Sequence, residues 1–402
     1  MYFLADVINY LLAAILLSVS VAWMFLIKSM WITFRDSPFL DKYNSRPHHT
    51  PKVSVILPAR NEEMFIEKCI NSLLEQDYEN YEIIAIDDMS DDNTGEIIKK
   101  IAKKNSKVIH VQANPKPDKW IGKNWACIEG FKVSSGELLL FTDADTIHTK
   151  KTISLSVDHL LSEGLDALTV VPKMLCLDWW TKITLPVLST FLHTRFSALR
   201  VNDPSKKTGY FFGSFFIIKR KTYEAVGTHE SVKSEIVEDG ALGKKVKEQG
   251  FKLKMVRGEH LVEAVWARDL PTLWHALKRL MIPLYIQSSK MAIGIFFAVL
   301  FLLFVPFPVL AYSALYATAS TSFGVLFGAS LLASGLVYLG STMDAKRGLG
   351  LGLRHALFTP LGSAVIVSGF ASGILHAKKS NAVTWRGRTY SISETIQNPI
   401  SL

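Results

Sequence analysis

The chain has 402 residues, of which 49% are hydrophobic, and a formal net charge of +9. This length accommodates one α/β domain of ordinary size plus several membrane segments. Residues near 8–30 and from about 290 to 376 are almost free of charge, and the stretch between them carries most of the charged residues. The composition therefore predicts a soluble domain held at both ends by a bilayer.

The positive charge does not indicate nucleic acid as a partner, because many of the basic residues lie beside the apolar segments. Cations in such positions mark cytoplasmic membrane edges and favour anionic headgroups. The flanking cations are Lys28, Arg35, Lys278, Arg279, Lys290, Lys346, Arg347, Arg354, Lys378 and Lys379. The three cysteines have no metal-binding spacing and no even-numbered disulfide pattern, which fits a reducing compartment.

The first apolar run, Val7 to Met30, is about as long as one membrane-spanning helix. It has no basic segment before it and no small-residue cleavage site after it, so a span is favoured over a removable signal peptide. Its positive flank is C-terminal, which places the N-terminus outside and the next domain in the cytoplasm. We expect a transmembrane helix and linker over residues 1–50 and a cytoplasmic domain over residues 51–258.

From Lys52 onward, short β-rich runs alternate with helical ones. The runs predicted as buried strands are VSVILPA, YEIIAIDD, KVIHVQA and ELLLFTDAD. Continuous apolar strands separated by helices indicate a parallel sheet covered on both faces. Ligands bind outside the carboxyl ends of such strands, so the polar residues that follow each strand are candidate site residues.

Three more apolar segments lie near the end of the chain. They cover residues 291–315, 323–342 and 355–375. We expect an interfacial connector over 259–290, membrane helices over 291–376 and a basic tail over 377–402. If all three segments cross, the tail lies outside, whereas the positive-inside bias places it inside. Two explanations of this conflict stay open: one segment is re-entrant, or the tail is an exception to the positive-inside bias.

Two acidic pairs follow predicted strands. Asp87 and Asp88 end the second strand. They are suited either to accept hydrogen bonds from a nucleobase and ribose or to cap a helix. Asp143 and Asp145 end the fourth strand, where carboxylates two residues apart can bind Mg²⁺ or Mn²⁺ when a diphosphate supplies further oxygens. The same Asp-x-Asp pattern also arises by chance.

A third acidic pair, Glu238 and Asp239, begins a predicted helix that ends at Gly250. Acidic residues at this position stabilise the positive end of the helix dipole. A carboxylate there can also act as general base on an acceptor hydroxyl. Considered alone, the pair favours the structural interpretation.

These three acidic sites, in this order, resemble those of family 2 glycosyltransferases with the GT-A fold. The resemblance covers about residues 53–279. It implies an α/β domain in which Asp87 and Asp88 bind the nucleotide and Asp239, beside Glu238, is the catalytic base. It also implies a site for Mg²⁺ or Mn²⁺ at the Asp-x-Asp motif. The corresponding metal ligands are Asp143 and Asp145, and Asp143 is also a donor contact.

The opening of the domain, residues 57–63, resembles the first-strand segment that lines the nucleotide pocket in this family. The resemblance implies donor contacts from Pro58, Ala59, Arg60 and Glu62.

Two further stretches resemble hopanoid- and carotenoid-associated glycosyltransferases. They are residues 120–126, with the pattern W-x-G-K-x-W-A, and residues 383–390, VTWRGRTY, which more loosely resemble the tail of ceramide glucosyltransferases. Lys123 in the first stretch is suited to act as a point cation on the donor diphosphate. The structural alternatives are ordinary packing for Trp120 and Trp125 and a membrane-surface anchor for the tail.

One family motif, Q-x-x-R-W, is incomplete. Its nearest match, residues 276–280, keeps only Arg279, which we expect to contact the diphosphate. Processive polysaccharide synthases generally keep the whole motif. Its loss therefore favours transfer of a single sugar.

By resemblance the reaction is inverting, with Asp239 accepting the proton of the acceptor hydroxyl and the cation site neutralising the departing diphosphate. We expect a lipidic acceptor with a hydroxyl or acidic group, because the domain lies between membrane helices. Residues 177–180 and 210–216 are rich in aromatics, which suits a membrane interface, although core packing is the alternative for the second stretch.

The predicted protein is a multi-pass cell-membrane enzyme that binds a nucleotide-diphospho-sugar, a lipid acceptor and the membrane, but no nucleic acid. One alternative is a processive polysaccharide synthase. Another is a non-catalytic membrane protein or transporter with a degenerate sugar-binding domain. Three complete acidic sites argue against degeneration, and the membrane segments lack the buried charges that transporters use.

Overall fold

The structure is a computed structural model that describes residues 2–42, 50–191, 196–380 and 382–391. Within these ranges the chain forms a mixed α/β domain and a group of long apolar helices. Part of the predicted linker, 43–49, and the end of the predicted tail, 392–402, lie outside the described residues.

Seven of the described strands form a central sheet in the order β3-β2-β1-β4-β8-β6-β9. A smaller sheet has the order β5-β10-β7, and β11 pairs with β12 in a hairpin. The strands are β1 (Val53–Ala59), β2 (Tyr81–Asp87), β3 (Val108–Gln112), β4 (Leu138–Phe141), β5 (Thr146–His148), β6 (Ala167–Val171), β7 (Lys173–Met174), β8 (Phe216–Lys219), β9 (Leu253–Arg257), β10 (Val262–Ala264), β11 (Ala382–Trp385) and β12 (Arg388–Ser391).

The four strands predicted from the apolar runs are β1 to β4, and they pair in parallel. The other half of the sheet is mixed, because β8 runs antiparallel to both β4 and β6 while β6 pairs in parallel with β9. Alternate residues of each strand face opposite sides, as the pleat requires. Val55 and Leu57 lie in one hydrophobic cluster and Ile56 in another on the opposite face. The sheet is therefore covered on both faces, as predicted.

Helices cover the sheet and extend beyond it. They are α1 (Tyr2–Asp36), α2 (Ile66–Leu74), α3 (Thr94–Ala102), α4 (Gly122–Val133), α5 (Thr152–Ser162), α6 (Trp179–Leu188), α7 (Ala198–Val201), α8 (Arg220–Ala225), α9 (Glu238–Glu248), α10 (Leu270–Gln287), α11 (Ser289–Val299), α12 (Pro306–Tyr316), α13 (Thr321–Arg347) and α14 (Thr359–Ala377). A π-helical turn, Leu300–Phe304, links α11 to α12, and 3₁₀ turns occupy Leu40–Lys42, His229–Val232 and Leu353–Phe358.

Among the described residues, three helices are long and apolar enough to cross a membrane: α1, α13 and the segment formed by the last 3₁₀ turn with α14. The α11–α12 pair is bent by 49° and becomes a fourth candidate if it is counted as one span. All four lie at the segments predicted from hydropathy. Helix α1, Tyr2–Asp36, begins earlier and ends later than the predicted run, Val7 to Met30.

Helices α1 and α13 lie side by side with their N-terminal ends together. The Asn9 side chain donates a hydrogen bond to Ser322 Oγ over 3.1 Å at that end. At the other end the Arg347 guanidinium lies over the Trp31 ring, 4.2 Å from its centroid. The two helices therefore run in the same direction.

Helix α14 packs against α6, which lies within the sequence of the α/β domain, and against α10, which follows its last strand. Gly362 approaches the backbone of Ile183 in α6 so closely that an added Cβ would lie 2.1 Å from its carbonyl oxygen. Gly369 lies against Leu277 of α10 in a similar way. Small residues in α14 thus permit close contact with the two domain-side helices.

The aromatic segment 210–216 does not lie at a membrane surface. Phe211, Phe215 and Phe216 are at most 2% exposed and belong to the domain core, Phe215 on one face of the sheet and the other two on the opposite face. The expectation of a membrane interface is wrong for this segment, because the strand β8 that follows it carries these side chains into the sheet. Leu177 and Trp179 remain exposed.

Candidate active site

The carboxyl ends of β1, β2 and β4 lie at one edge of the central sheet, and the predicted acidic residues gather there. Ala59, at the end of β1, is in register with Asp87, at the end of β2. Asp88 follows β2 and is buried. Helix α3 begins only at Thr94, whose backbone N–H bonds to Asp92. The helix-cap interpretation of Asp87 and Asp88 is therefore wrong.

Lys123, in the first turn of α4, brings two of the acidic sites together. Its Nζ lies 2.6 Å from Asp143 Oδ1 and 2.7 Å from Glu238 Oε1. The next residue, Asn124, donates from its side chain to the carbonyls of Val232 and Glu235, which lie shortly before α9. The start of α4 is thus tied to the segment just before α9, the helix that begins with the third acidic pair.

Asp239 points toward the same cluster. Its Oδ2 accepts a hydrogen bond from the Gly213 backbone N–H over 2.8 Å, and its Oδ1 accepts one from Gly240 over 2.7 Å. A Cβ at Gly213 would lie 2.8 Å from Asp239, 3.1 Å from Asp143 and 3.1 Å from the Lys123 Nζ. A residue without a side chain is therefore required at position 213 for these three groups to converge.

The environment shifts the pKa of Asp239 and Lys123 in the same direction. Burial and the neighbouring Glu238 raise the pKa of Asp239 to about 7. Burial would lower the pKa of Lys123, but Asp143, Glu238 and Asp239 raise it well above its usual value. At neutral pH the lysine is charged, and Asp239 lies close to the point at which it can accept a proton.

A second cluster joins Asp88, Glu62 and Asp145 to the C-terminal hairpin. Arg388 Nη1 lies 2.5 Å from Asp88 Oδ2. Arg386 pairs with Glu62 and lies 3.4 Å from Asp145 Oδ2. The role of the tail as a membrane-surface anchor is therefore wrong for these two arginines, because the hairpin folds back over the strand ends. Only the pattern in residues 383–390 signalled that the tail belongs to the site.

Burial raises the pKa of Glu62 and of Asp145, two carboxylates in this cluster. The pKa of Glu62 rises to about 8, with Arg386 opposing the shift and Asp145 adding to it. The pKa of Asp145 rises to about 6, and Asp143 contributes to that shift. These acids are crowded close enough to bind protons more readily than isolated carboxylates do.

Arg60 connects β1 to its surroundings. Its guanidinium donates to the carbonyl of Asp88 over 2.7 Å, to the carbonyl of Arg386 over 2.9 Å and to Asp91 over 2.9 Å. Pro58 and Ala59 are buried in the strand. Arg60 therefore holds the loop after β2 and the turn of the hairpin together.

Two further predicted residues lie beside the clusters. Arg279, half-buried on α10, is within electrostatic range of Glu238, Asp239 and Asp143. Trp120 is buried and packs edge-on against Trp125 with ring centroids 5.2 Å apart. The packing interpretation therefore accounts for the two tryptophans.

The Asp-x-Asp carboxylates fit a hard divalent cation only in part. Among the described residues, no group of three or more His, Cys, Asp or Glu side chains is arranged to hold a metal ion. Asp143 and Asp145 alone offer an incomplete set of oxygen ligands, which is the arrangement in which substrate phosphates complete the shell of Mg²⁺ or Mn²⁺. The residues present therefore fit a metal that binds together with a diphosphate.

The fold defines a class of protein, a mixed α/β domain of the GT-A type. A solved structure described as mannosyltransferase PcManGT from Pyrobaculum calidifontis in complex with GDP-Man and Mn²⁺ aligns with a TM-score of 0.53 and 18% identity, covering 92% of this chain and 99% of that one. At this identity the alignment supports the fold alone.

Residues 54–227 match the family described as glycosyl transferase family 2. A relative named 4,4'-diaponeurosporenoate glycosyltransferase, from Staphylococcus haemolyticus, is 31% identical over 48% of this chain and 51% of its own length. Probable glycosyltransferase YdaM of Bacillus subtilis is 29% identical over 37% of each chain. The chain thus matches at most about half the length of these curated relatives. The predicted resemblance to family 2 and to carotenoid-associated enzymes is confirmed.

Proposed function

We propose that this protein is an inverting glycosyltransferase that moves one sugar from a nucleotide-diphospho-sugar to a lipidic acceptor at the cytoplasmic face of the cell membrane. The observation that carries the proposal is the Asp239 carboxylate, held by two backbone N–H groups beside Lys123 and the Asp-x-Asp motif. A family 2 domain over residues 54–227 supports the reaction class.

In the proposed reaction, Asp239 accepts the proton of the acceptor hydroxyl as the oxygen attacks the anomeric carbon. The hydrogen bonds from Gly213 and Gly240 orient the carboxylate. A pKa near 7 suits a general base at neutral pH, because the unprotonated form is populated and still basic. For an acidic acceptor, which is already deprotonated, the same residue would position the incoming oxygen.

On the donor side, Asp87 and Asp88 at the end of β2 are proposed to bind the nucleoside. Lys123 and Arg279 add positive charge near the position of the departing diphosphate, which stabilises charge as it develops. A Mg²⁺ or Mn²⁺ ion held by Asp143 and Asp145 would supply further positive charge to the phosphates. The incomplete Q-x-x-R-W motif supports single-sugar transfer.

A lipidic acceptor is supported by what packs around the base. Ile236, three residues before Asp239, packs with Ile282 of α10 and Ala377 of α14 in one apolar cluster. The segment just before α9, the helix that begins with the base, therefore packs on apolar helices beside the candidate spans. The relative named 4,4'-diaponeurosporenoate glycosyltransferase supports an apolar acceptor that ends in an acidic group.

The contacts of α14 bear on its relation to the membrane. Just before its start, Phe358 packs edge-on against Trp179 of α6, and its last residue, Ala377, lies in the cluster with Ile282. Both ends of α14 therefore contact domain-side elements. We infer that α14 lies along the boundary between domain and membrane, so that the catalytic domain and the basic tail share the cytoplasmic side.

The proposal is tested by Asp239→Asn in the purified full-length protein. The asparagine oxygen can accept only one of the two backbone hydrogen bonds well, so we expect a stability loss of about 1–2 kcal/mol. Loss of the base should reduce the transfer rate by about 10²–10⁴-fold. Nucleotide affinity should persist, because the donor contacts lie elsewhere.

The matched control is Glu248→Gln, an exposed carboxylate on the same helix, and it should leave the transfer rate unchanged. Glu238→Gln should cause a smaller loss than Asp239→Asn. Near-normal transfer by Asp239→Asn to a hydroxyl acceptor would overturn the assignment of the base. The acceptor class is identified by extracting lipids after incubating membranes with labelled nucleotide sugars.

A further inference from the structure

The C-terminal hairpin, β11 and β12, lies across the edge of the sheet where the donor is proposed to bind. Its turn is formed by Arg386 and Gly387, both with positive φ, at 47° and 76°. This turn places Arg386 and Arg388 on the same carboxylates that the donor site needs. Val383 anchors the base of the hairpin to Ile282 of α10.

Several bonds hold the hairpin in place. Arg388 contacts both the side chain and the carbonyl of Asp88, the latter over 3.2 Å. The Tyr390 hydroxyl accepts a hydrogen bond from the Gly122 N–H at the start of α4, over 3.3 Å. Arg60 donates to the Arg386 carbonyl. The hairpin therefore touches β1, the end of β2 and the start of α4 together.

The acidic cluster beneath the hairpin contains carboxylate oxygens that can accept further hydrogen bonds. Asp88 Oδ1 and Glu62 Oε2 are buried and have no hydrogen-bond partner among the residues that the structure describes. Buried carboxylate oxygens without partners are unusual, and they suit a ligand that brings hydroxyl or N–H donors. A nucleoside carries such groups on its ribose and base.

Unlike a nucleoside, a diphosphate is repelled by the carboxylates of this cluster, so its binding needs nearby cations. Lys123, beside Asp143 and Glu238, is one such cation. Arg60 is bonded to backbone carbonyls and to Asp91. The hairpin adds two guanidinium groups to this cluster, those of Arg386 and Arg388. Planar guanidinium groups bind phosphate through two parallel hydrogen bonds.

We propose that the hairpin is part of the donor site and that Arg386 and Arg388 bind the donor diphosphate, exchanging carboxylate partners for phosphate oxygens. This inference rests on the proposed function. It adds two guanidinium groups from the tail to Arg279, the one residue that the incomplete Q-x-x-R-W motif keeps. Without donor, the two arginines offset the repulsion between the carboxylates of Glu62, Asp88 and Asp145.

The experiment measures binding of UDP, GDP, ADP, CDP and dTDP to the purified full-length protein by calorimetry with Mn²⁺. Arg386→Gln and Arg388→Gln should each weaken binding of the preferred diphosphate by about 10- to 100-fold, the range for loss of a charged hydrogen bond. Binding of the matching monophosphate should weaken less. Arg388→Lys should recover part of the affinity, because it restores charge without the planar fork.

The matched control is Lys379→Gln, an exposed cation just before the hairpin, which should leave the affinity unchanged. Unchanged affinity in both arginine variants would overturn the inference and leave the hairpin a packing element. Tighter binding would overturn it too, since the hairpin would then compete with the donor. If the wild-type protein binds none of the diphosphates, the proposed function itself fails, and this inference fails with it.

Discussion

Replacing Lys123 with glutamine tests the centre of the site, because this one ammonium group touches two carboxylates from different parts of the chain. Its Nζ lies 2.6 Å from Asp143 and 2.7 Å from Glu238. The Asp143 side chain is 33% exposed and can be solvated by water instead, whereas the Glu238 side chain is only 4% exposed. The main cost of Lys123→Gln should therefore come from leaving Glu238 buried without its cation.

Removing one partner of a buried ion pair costs about 3–5 kcal/mol. Because glutamine can still donate a hydrogen bond, we expect the lower end, about 3 kcal/mol. For a domain of roughly 150–250 residues this corresponds to a fall in Tm of roughly 6–12 °C. The loss of Lys123 should also raise the pKa of Asp239 further above 7, because the lysine lowers it. Transfer should then fall at neutral pH and recover in part as pH rises.

The assay is thermal unfolding of the purified protein in detergent, together with the pH profile of transfer. The matched control is Lys244→Gln, whose partner Glu248 lies 3.8 Å away in an exposed pair. Loss of that pair should cost at most about 1 kcal/mol. The double variant Lys123→Gln/Glu238→Gln removes both buried charges and should be more stable than Lys123→Gln alone.

Two results would refute this reasoning about Lys123. One is a Tm for Lys123→Gln equal to that of Lys244→Gln. The other is a double variant that is no more stable than the single one, since the buried charge of Glu238 would then not be the cause of the loss. A pH profile of transfer that does not move would separately contradict the link between Lys123 and Asp239.

Two further predictions concern the metal and the membrane. Asp145→Asn should weaken binding of Mn²⁺ much more with a nucleoside diphosphate present than without it, and excess EDTA should abolish transfer; undiminished transfer in EDTA would contradict a metal at Asp143 and Asp145. In intact cells an impermeant thiol reagent should leave Asn105→Cys and Lys379→Cys unmodified while it labels Ala319→Cys, in the exposed turn before α13; ready labelling of Asn105→Cys would place the domain outside.

Local pattern in the sequence was sufficient for the elements that bury a continuous apolar run. The first four strands and the candidate spans lie where hydropathy places them, because a run such as VSVILPA must be covered on both faces wherever it lies. The acidic residues at strand ends could also be predicted, since parallel strands bring their carboxyl ends to one edge.

Tertiary structure determined the orientation of β8 and the burial of the aromatic segment before it. The pattern of residues 210–216 is equally apolar in a core and at a membrane surface, so composition does not distinguish the two environments. Pairing of β8 between β4 and β6 determines that Phe211 and Phe215 face the core.

The assembly of the site was also a matter of tertiary structure alone. Arg388 meets Asp88 across 300 positions of sequence, and Lys123 lies between Asp143 and Glu238, which come from separate elements. Periodicity in a sequence reports which face of one element is buried, but it carries no information about which distant charges will pair. The hairpin follows α14, which packs on α6 and α10, and Val383 in the hairpin packs on Ile282 of α10. These contacts place Arg388 beside Asp88.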